Sequence, residues 1–406
     1  MPAPTATATA APRTTTQPTR AMLPVKKVAP LPIPHMSGPR LFQVMRVGLV
    51  VWTLVSMVLC LASVLASQSH QESSAGALIH AQDLRDLRSE VSQAQAMALT
   101  SMLDPQGTSG KNLWNLYGES RTRVDLLLLG SAASAAHPAD LGDVANALRT
   151  WQENLAVIHN DLSQQGVLDG NATTTITTNY TAVITAITAE LHATASQESS
   201  STPFIVLSIL ASVLGGLGFV VVLVVTARRS HRVINVGLSI GLLAIIAAIV
   251  AVGIYANNSG QISNTDSNLA DLSQSQSNLW DARSEDALSV LEPDSGQAHL
   301  DSATDLATLV STTLRSMSLP EVSTLVTDQK TIASTTDPTA RSTLVIKGSS
   351  WQNLSTTLGT TIDSNRPDAA NLVVPALGYV VTVATCCVIA IIATLAGIHA
   401  RTKEYS

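Results

Sequence analysis

Apolar residues follow two patterns along this chain, and each predicts a different element. Four windows, 47–67, 204–226, 233–255 and 373–398, are almost continuously apolar and hold no Asp, Glu, Lys or Arg. A hydrocarbon core about 30 Å thick needs roughly 20 such residues in a helix. The windows therefore predict four transmembrane helices, at 42–67, 204–226, 233–255 and 373–398.

Between these windows the apolar positions recur at helical spacing. Leu141, Val144, Leu148, Trp151, Leu155, Ile158 and Leu162 alternate steps of three and four, the seam of a coiled-coil-like bundle. Leu84, Leu87, Val91, Ala94 and Ala98 repeat the pattern, and shorter seams pass through Leu113, Leu116, Val124 and Leu127, and through Ile176, Tyr180, Val183 and Ile187. Breaks near 104–111, 131–140 and 164–175 then divide 68–203 into an up-down four-helix bundle, its first helix continuing from the first membrane helix and its fourth running into the second. The segment 256–372 predicts a second bundle, with helices over 262–292, 298–318, 320–335 and 339–364 and Trp280 and Trp351 as its aromatic packing residues. Neither region shows a sustained strand alternation. The expectation is an all-α membrane protein with two bundles, each standing on its own pair of membrane helices. Residues 1–41 are rich in Pro, Thr and Ala without an apolar period, and such a segment is expected to be disordered.

The two halves also match in sequence. Ala98-Leu99-Thr100-Ser101-Met102-Leu103-Asp104-Pro105 aligns with Ala287-Leu288-Ser289-Val290-Leu291-Glu292-Pro293 with one residue gapped, and Gly107 and Gly296 follow as turn residues. An acid-Pro turn with a Gly just beyond ends a helix in both copies. The reading is an internal duplication.

Composition sharpens the membrane assignment: 46% of the 406 residues are hydrophobic and only 13% charged, about half the usual charge of a soluble domain. Charge also orients the chain. Arg13, Arg20, Lys26, Lys27, Arg40 and Arg46, the turn at 227–232 with Arg228, Arg229 and Arg232, and the tail at 399–406 with Arg401 and Lys403 hold eleven basic residues against the single acid Glu404. The two long loops carry an acidic excess. Short basic segments stay in the cytoplasm. A multi-pass cell-membrane protein is expected, with both termini and the turn cytoplasmic and both bundles extracytoplasmic.

Catalytic chemistry is not legible. The chain has no phosphate-binding loop, HExxH, GxSxG or kinase signature, and its nine histidines do not pair at metal-ligand spacing. Cys60, Cys386 and Cys387 all lie in membrane windows, so no disulfide framework is expected. No enzyme, cofactor, metal site or nucleic-acid partner is expected. A small-molecule transporter is disfavoured, because the membrane helices offer mainly hydroxyls such as Thr53, Ser208, Ser212 and Thr382. The stripe Gly237, Gly241, Ala244 and Ala248, and Gly215 with Gly218, let helix backbones approach in lipid, either within the chain or in a homodimer. Sequons at Asn171, Asn179, Asn257 and Asn353 lie in Ser/Thr-rich sequence, where chance produces them.

The second-domain seam of Leu269, Leu272, Gln276, Leu279, Arg283, Ala287 and Val290 has two polar members, Gln276 and Arg283. Arg283, facing a bundle interior, needs an anion. Either it pairs with Asp281, Glu285, Asp286 or an acid on a neighbouring helix, or it contacts a carboxylate ligand.

The topology, with Ala282-Arg283-Ser284-Glu285-Asp286-Ala287-Leu288 and Leu291-Glu292-Pro293, resembles the GlnX-like family of actinobacterial four-helix membrane proteins. The resemblance implies a non-enzymatic signal relay linking an external glutamate/aspartate-binding lipoprotein to the cytosolic serine/threonine protein kinase G. Thr14, Thr15 and Thr16, beside Arg13, are candidate phosphorylation sites for such a kinase. The alternative is a structural scaffold of the cell envelope.

Overall fold

The computed structural model describes residues 38–134, 141–197, 202–230, 236–366 and 373–404. Thr14, Thr15 and Thr16, the 1–37 part of the predicted disordered tail, Arg232 in the predicted turn, and the junction between the first bundle's last helix and the second membrane helix lie outside these residues. Every element among the described residues is helical: α1 Gly38–Met102, α2 Thr108–Ser134, α3 Gly142–Gln165, α4 Ala172–Gln197, α5 Thr202–Ser230, α6 Val236–Leu291, α7 Gly296–Thr313, α8 Pro320–Ser334, α9 Pro338–Lys347, α10 Ser350–Asn365 and α11 Ala376–Glu404. A 3-10 turn at Leu314–Met317 follows α7.

Four of these helices are long and apolar enough to span a membrane, namely the first part of α1, α5, the first part of α6, and α11. They form one four-helix bundle. Leu49, Cys60, Phe219, Leu238, Ile245, Ala248, Val383, Cys387 and Ala390 fill its interior, while Val51, Val58, Val221, Leu243, Val250 and Ile392 point outward. An outward apolar band on every helix suits lipid as the surrounding solvent. The small residues let the helices close. A Cβ on Gly237 would lie 2.5 Å from the Ala393 carbonyl oxygen, one on Gly241 2.6 Å from the Phe219 ring, and one on Gly218 2.5 Å from Trp52. Gly215 abuts Ser56. Both glycine stripes are thus consumed in packing within the chain.

Two helices dominate the architecture. α1 has 65 residues and α6 has 56, so at 1.5 Å per residue they run about 98 and 84 Å without a break. They lie parallel, in contact from the membrane segment to the distal part. Tyr255 donates to Ser67 at 3.2 Å and Gln71 to Ser259 at 3.0 Å, both pairs 188 residues apart. Gln82 donates to Ser273 at 3.3 Å, and Arg85 pairs with Asp266 at 2.9 Å. The sequence match of Ala98 with Ala287 has nearly the same separation, so corresponding stretches of the two halves lie side by side.

That pairing corrects the expectation of two separate bundles. Leu84, Leu87, Val91, Leu99, Val144, Trp151 and Ile187 from the first region share one core with Trp280, Ala287, Leu288, Leu300, Ile332 and Val345 from the second. A further core around Leu279, Leu314, Leu325, Trp351 and Leu358 belongs to the second region. The distal ends of α1 and α6 turn back where the acid-Pro-Gly pattern predicts. The Asp104 carboxylate accepts from the Gly107 amide at 3.1 Å, and a Cβ on Gly107 would collide with it. A Cβ on Gly296 would sit 2.8 Å from the Ser289 carbonyl oxygen. The predicted helix at 339–364 is instead two, α9 and α10. Asp337 caps α9 by accepting from Thr339 and Ala340, and the chain leaves it at Gly348, whose amide donates to Leu344 at 2.9 Å. A Cβ on Gly348 would lie 3.2 Å from the Leu344 carbonyl oxygen and in ordinary contact, at 3.5 Å, with Arg283 Nη1 and the Trp351 ring.

Candidate functional site

α6 is buried almost all round between Ser275 and Ser289, because α1 covers one side and the helices of its own region cover the other. Three polar groups on this stretch, Asp281, Arg283 and Asp286, therefore leave bulk water. Such groups need partners, since an unpaired buried charge costs several kcal/mol.

Asp281 faces the first region. Tyr180 of α4 donates to its carboxylate and also bonds Ser92 of α1 at 2.7 Å. Arg88 of α1 adds an electrostatic attraction. Burial pushes the Asp281 carboxyl up, and burial together with the adjacent carboxylate holds the Tyr180 phenol well above its ordinary range. One hydroxyl and one carboxylate thus tie α1, α4 and α6 together. Tyr180 was legible as a seam residue, but its polar role was not, because Asp281 reaches it from the other half of the chain.

Arg283 and Asp286 face the second region. Arg283 is 5% exposed, and its guanidinium lies 5.7 Å from the centre of the Trp351 ring of α10. Among the described residues the guanidinium makes no hydrogen bond or ion pair, and Nη1 is fully enclosed without a partner. The acids named for it from sequence are otherwise engaged: Asp281 with Tyr180, Glu285 with His299 at 2.6 Å, and Asp286 with the Gln329 side-chain amide of α8 at 3.0 Å. Asp286 and Asp328 still act on Arg283 electrostatically. Desolvation lowers the Arg283 pKa to about 10, so it remains a cation near neutrality. Desolvation raises Asp286 to about 7, against the pull of Arg283, the Gln329 bond and Arg341 of α9, with Glu285 pushing the same way as burial.

Other polar atoms of these residues are enclosed as well: Asp286 Oδ2, Gln329 Oε1, which belongs to the amide bonded to Asp286, and Nε1 of Trp351, whose ring lies beside Arg283, have no hydrogen-bond partner among the described residues. Native interiors rarely leave such groups unsatisfied, and a cluster of them marks a place for water, an ion or a ligand. Arg283 was legible from the seam. Trp351 was not legible as its neighbour, nor Gln329 as the partner of Asp286, because they come from helices far along the chain.

A third cluster sits at the distal turn of α6. His299 of α7 places Nδ1 2.6 Å from Glu285 and Nε2 3.2 Å from Glu292, which also accepts from Ser295 at 2.8 Å. Two carboxylates facing both ring nitrogens favour the imidazolium, and the hydrogen bond to Glu285 leads in raising its pKa. Among the described residues no three His, Cys, Asp or Glu side chains converge as a metal site. In the membrane bundle three of the hydroxyls bond their own helices: Thr53 donates to Leu49 at 2.7 Å, Ser208 to Phe204 at 2.9 Å and Thr382 to Gly378 at 2.8 Å.

The chain matches no protein-family model, no curated protein and no solved structure.

Proposed function

We propose that this chain is a non-enzymatic transmembrane relay, in which the distal helices lie outside the cell and the basic ends inside. One observation carries the reading. α1 and α6 each pass from the membrane bundle into the distal core as single helices, and Asp281, Tyr180 and Ser92 lock them to each other there. Rigid helices shared by two regions transmit shifts of about 1–2 Å, and a relay needs a coupling of only about 1–3 kcal/mol. Polar contacts continue to the membrane edge. Gln71 accepts from the Val374 amide and Gln68 from the Ala376 amide, joining α11 to α1.

The basic segments support the orientation through the positive-inside rule. Parallel pairing of the two halves supports an internal duplication. The resemblance to GlnX-like proteins supports an external solute-binding lipoprotein, with glutamate or aspartate as the solute, and a cytosolic serine/threonine kinase as partners. The test is phosphorylation of cytosolic targets in cells with and without the gene, during a shift into and out of glutamate. A nutrient-dependent change lost on deletion and restored by the wild-type chain supports relay. Identical phosphorylation in both strains, with an envelope defect in the deletion, supports the scaffold reading instead.

A further inference from the structure

Arg366 ties the two halves at a second place. It ends α10, and its Nη2 reaches two carboxylates of α1, Asp83 at 3.0 Å and Asp86 at 2.7 Å. The two acids stand three residues apart, so they share one face of α1. Asp86 is held on both sides. Its Oδ2 takes Arg366, and its Oδ1 accepts from Gln82 Nε2 at 2.9 Å. Gln82 is buried, and the same nitrogen donates to Ser273 of α6 at 3.3 Å. The other end of that amide, Gln82 Oε1, is enclosed with no hydrogen-bond partner among the described residues. A buried acceptor without a donor is costly. A protonated Asp86 is such a donor, and a half-turn of the Gln82 amide presents Oε1 to Asp86 Oδ1. The surroundings thus serve the neutral acid as well as the carboxylate.

Chain position gives this contact its reach. Arg366 precedes Ala376, the first residue of α11, by ten residues, and Gln71 and Gln68 of α1 accept from the Val374 and Ala376 amides. α11 is one of the four helices long and apolar enough to span a membrane. Whatever holds Arg366 on α1 therefore fixes the end of α10 close, along the chain, to a membrane helix.

We propose that Asp83, Asp86 and Arg366 form a proton-released latch: a proton taken from water onto Asp86 Oδ1, and donated in a hydrogen bond to Gln82 Oε1, leaves Oδ2 a neutral acceptor, and the end of α10 comes away from α1. A hydrogen bond to an ionised partner is roughly twice as strong as a neutral one, so the step removes the stronger half of the contact. Asp83 alone then faces a guanidinium whose side chain is 39% exposed, and an ion pair open to water holds little. The latch makes acidification a stimulus. It goes beyond the relay reading and does not rest on it, since it opens or stays shut whatever the chain reports to.

The charged groups acting on Asp86 are Asp83 on its own helix and Arg366 and Asp363 at the end of α10, while α6 meets Gln82 through the Ser273 hydroxyl. Burial leads in raising the Asp86 carboxyl to about 6, with the Asp83 and Asp363 charges adding to it and the Arg366 charge and the Gln82 bond opposing it. Above that pH the carboxylate is ionised and the latch closed; below it the acid is neutral and the latch open. Opening takes away the Arg366 charge that favours ionisation, so by linkage the open form binds the proton more tightly, and each event promotes the other.

The test is the distance between spin labels at Ser69 of α1 and Ser364 of α10, both exposed, in the full-length chain with Cys60, Cys386 and Cys387 replaced by serine, in lipid nanodiscs, from pH 8 to pH 5. The expected result is one narrow distance at pH 8 and a second, displaced population that grows with a midpoint near 6 and holds most molecules at pH 5. Asp86→Asn stands in for the protonated acid, and it shows the displaced population at pH 8 with no further change on acidification. Arg366→Gln, a change at an exposed helix end, does the same and keeps the test decisive where the Asp86 variant fails to fold. Asp83→Asn moves the midpoint down, because the Asp83 charge favours the proton on Asp86. His299→Gln and Asp286→Asn, at two other groups with raised pKa values, leave the midpoint where it was. A single distance unchanged from pH 8 to pH 5 overturns the proposal. So does a pH-driven displacement that survives in Asp86→Asn, or one that vanishes in His299→Gln or Asp286→Asn, either of which places the switch elsewhere. A latch still closed at pH 8 in both Asp86→Asn and Arg366→Gln overturns it as well. None of these results touches the phosphorylation test of relay.

Discussion

Tyr180→Phe removes one oxygen atom from the joint between the two halves and nothing else. The ring stays on the seam between α1 and α4, so no apolar area is lost. What disappears is the donor to Asp281 and the bond to Ser92. A hydrogen bond to a charged partner contributes about 1.5–3 kcal/mol, and Asp281 is left buried with fewer contacts. The expected cost at neutral pH is about 2 kcal/mol, concentrated where α4 meets α6. Hydrogen exchange in nanodiscs reads that directly, because local opening sets amide protection. Protection of amides in 178–184 and 279–285 should fall together, by roughly tenfold to a hundredfold. A built-in control exists in Tyr117, whose hydroxyl is buried without a hydrogen-bond partner while its ring stacks on Trp114 at 4.5 Å. Tyr117→Phe should leave protection unchanged or raise it, because it deletes an unsatisfied polar group. Equal losses in the two variants, or a loss in α4 that spares α6, would refute the claim that Tyr180 joins the halves.

Titration offers a second set of outcomes. In the unfolded chain Asp286 ionises near 3.8, whereas in the fold it holds its proton to about 7. Its favourable contribution is therefore full below about pH 4 and is lost as pH rises through 7, a swing of roughly 4 kcal/mol. Asp286→Asn should flatten that decline in a thermal-denaturation series from pH 5 to 8. His299, with its pKa raised by Glu285 and Glu292, acts in the same direction: its stabilisation is complete below its ordinary 6.5 and lost above the raised value. His299→Gln should lower the melting temperature more at pH 6 than at pH 8.5. In the membrane bundle, Gly237→Leu drives a side chain into the Ala393 and Gly397 backbone, at a cost of about 1–3 kcal/mol. It should lower the melting temperature in nanodiscs, with the monomer–dimer distribution by analytical ultracentrifugation unchanged.

The helical seams were readable because their buried positions are the large apolar ones. Leu84, Leu87, Val91, Ala94 and Ala98 are all fully buried, as are Val144, Leu148, Trp151 and Leu155 of the α3 seam. The joint between halves was not readable, because many of its polar members look solvated in a sequence: Ser273 accepts from Gln82 across the halves and Ser92 bonds Tyr180, and both serines are buried, as are Ser89, Ser277 and Ser284 of the same two helices. The break at Gly348 was missed for a related reason. A single glycine inside a periodic run reads as tolerated, whereas here the chain leaves α9 at Gly348. Arg283 stood out because it interrupts a seam, while the identity of its surroundings depends on contacts that no local pattern encodes.

The central claim is that the distal joint and the far ends of α1 and α6 move as one body. Spin labels at Val44 and Val236, both exposed near those ends, in a chain whose Cys60, Cys386 and Cys387 are replaced by serine, report their separation by pulsed electron resonance. Breaking the joint with Tyr180→Phe and Asp281→Leu together should shift or broaden that distance distribution by on the order of 1–2 Å. A distribution indistinguishable from that of the intact joint, with the distal helices still folded, would contradict it.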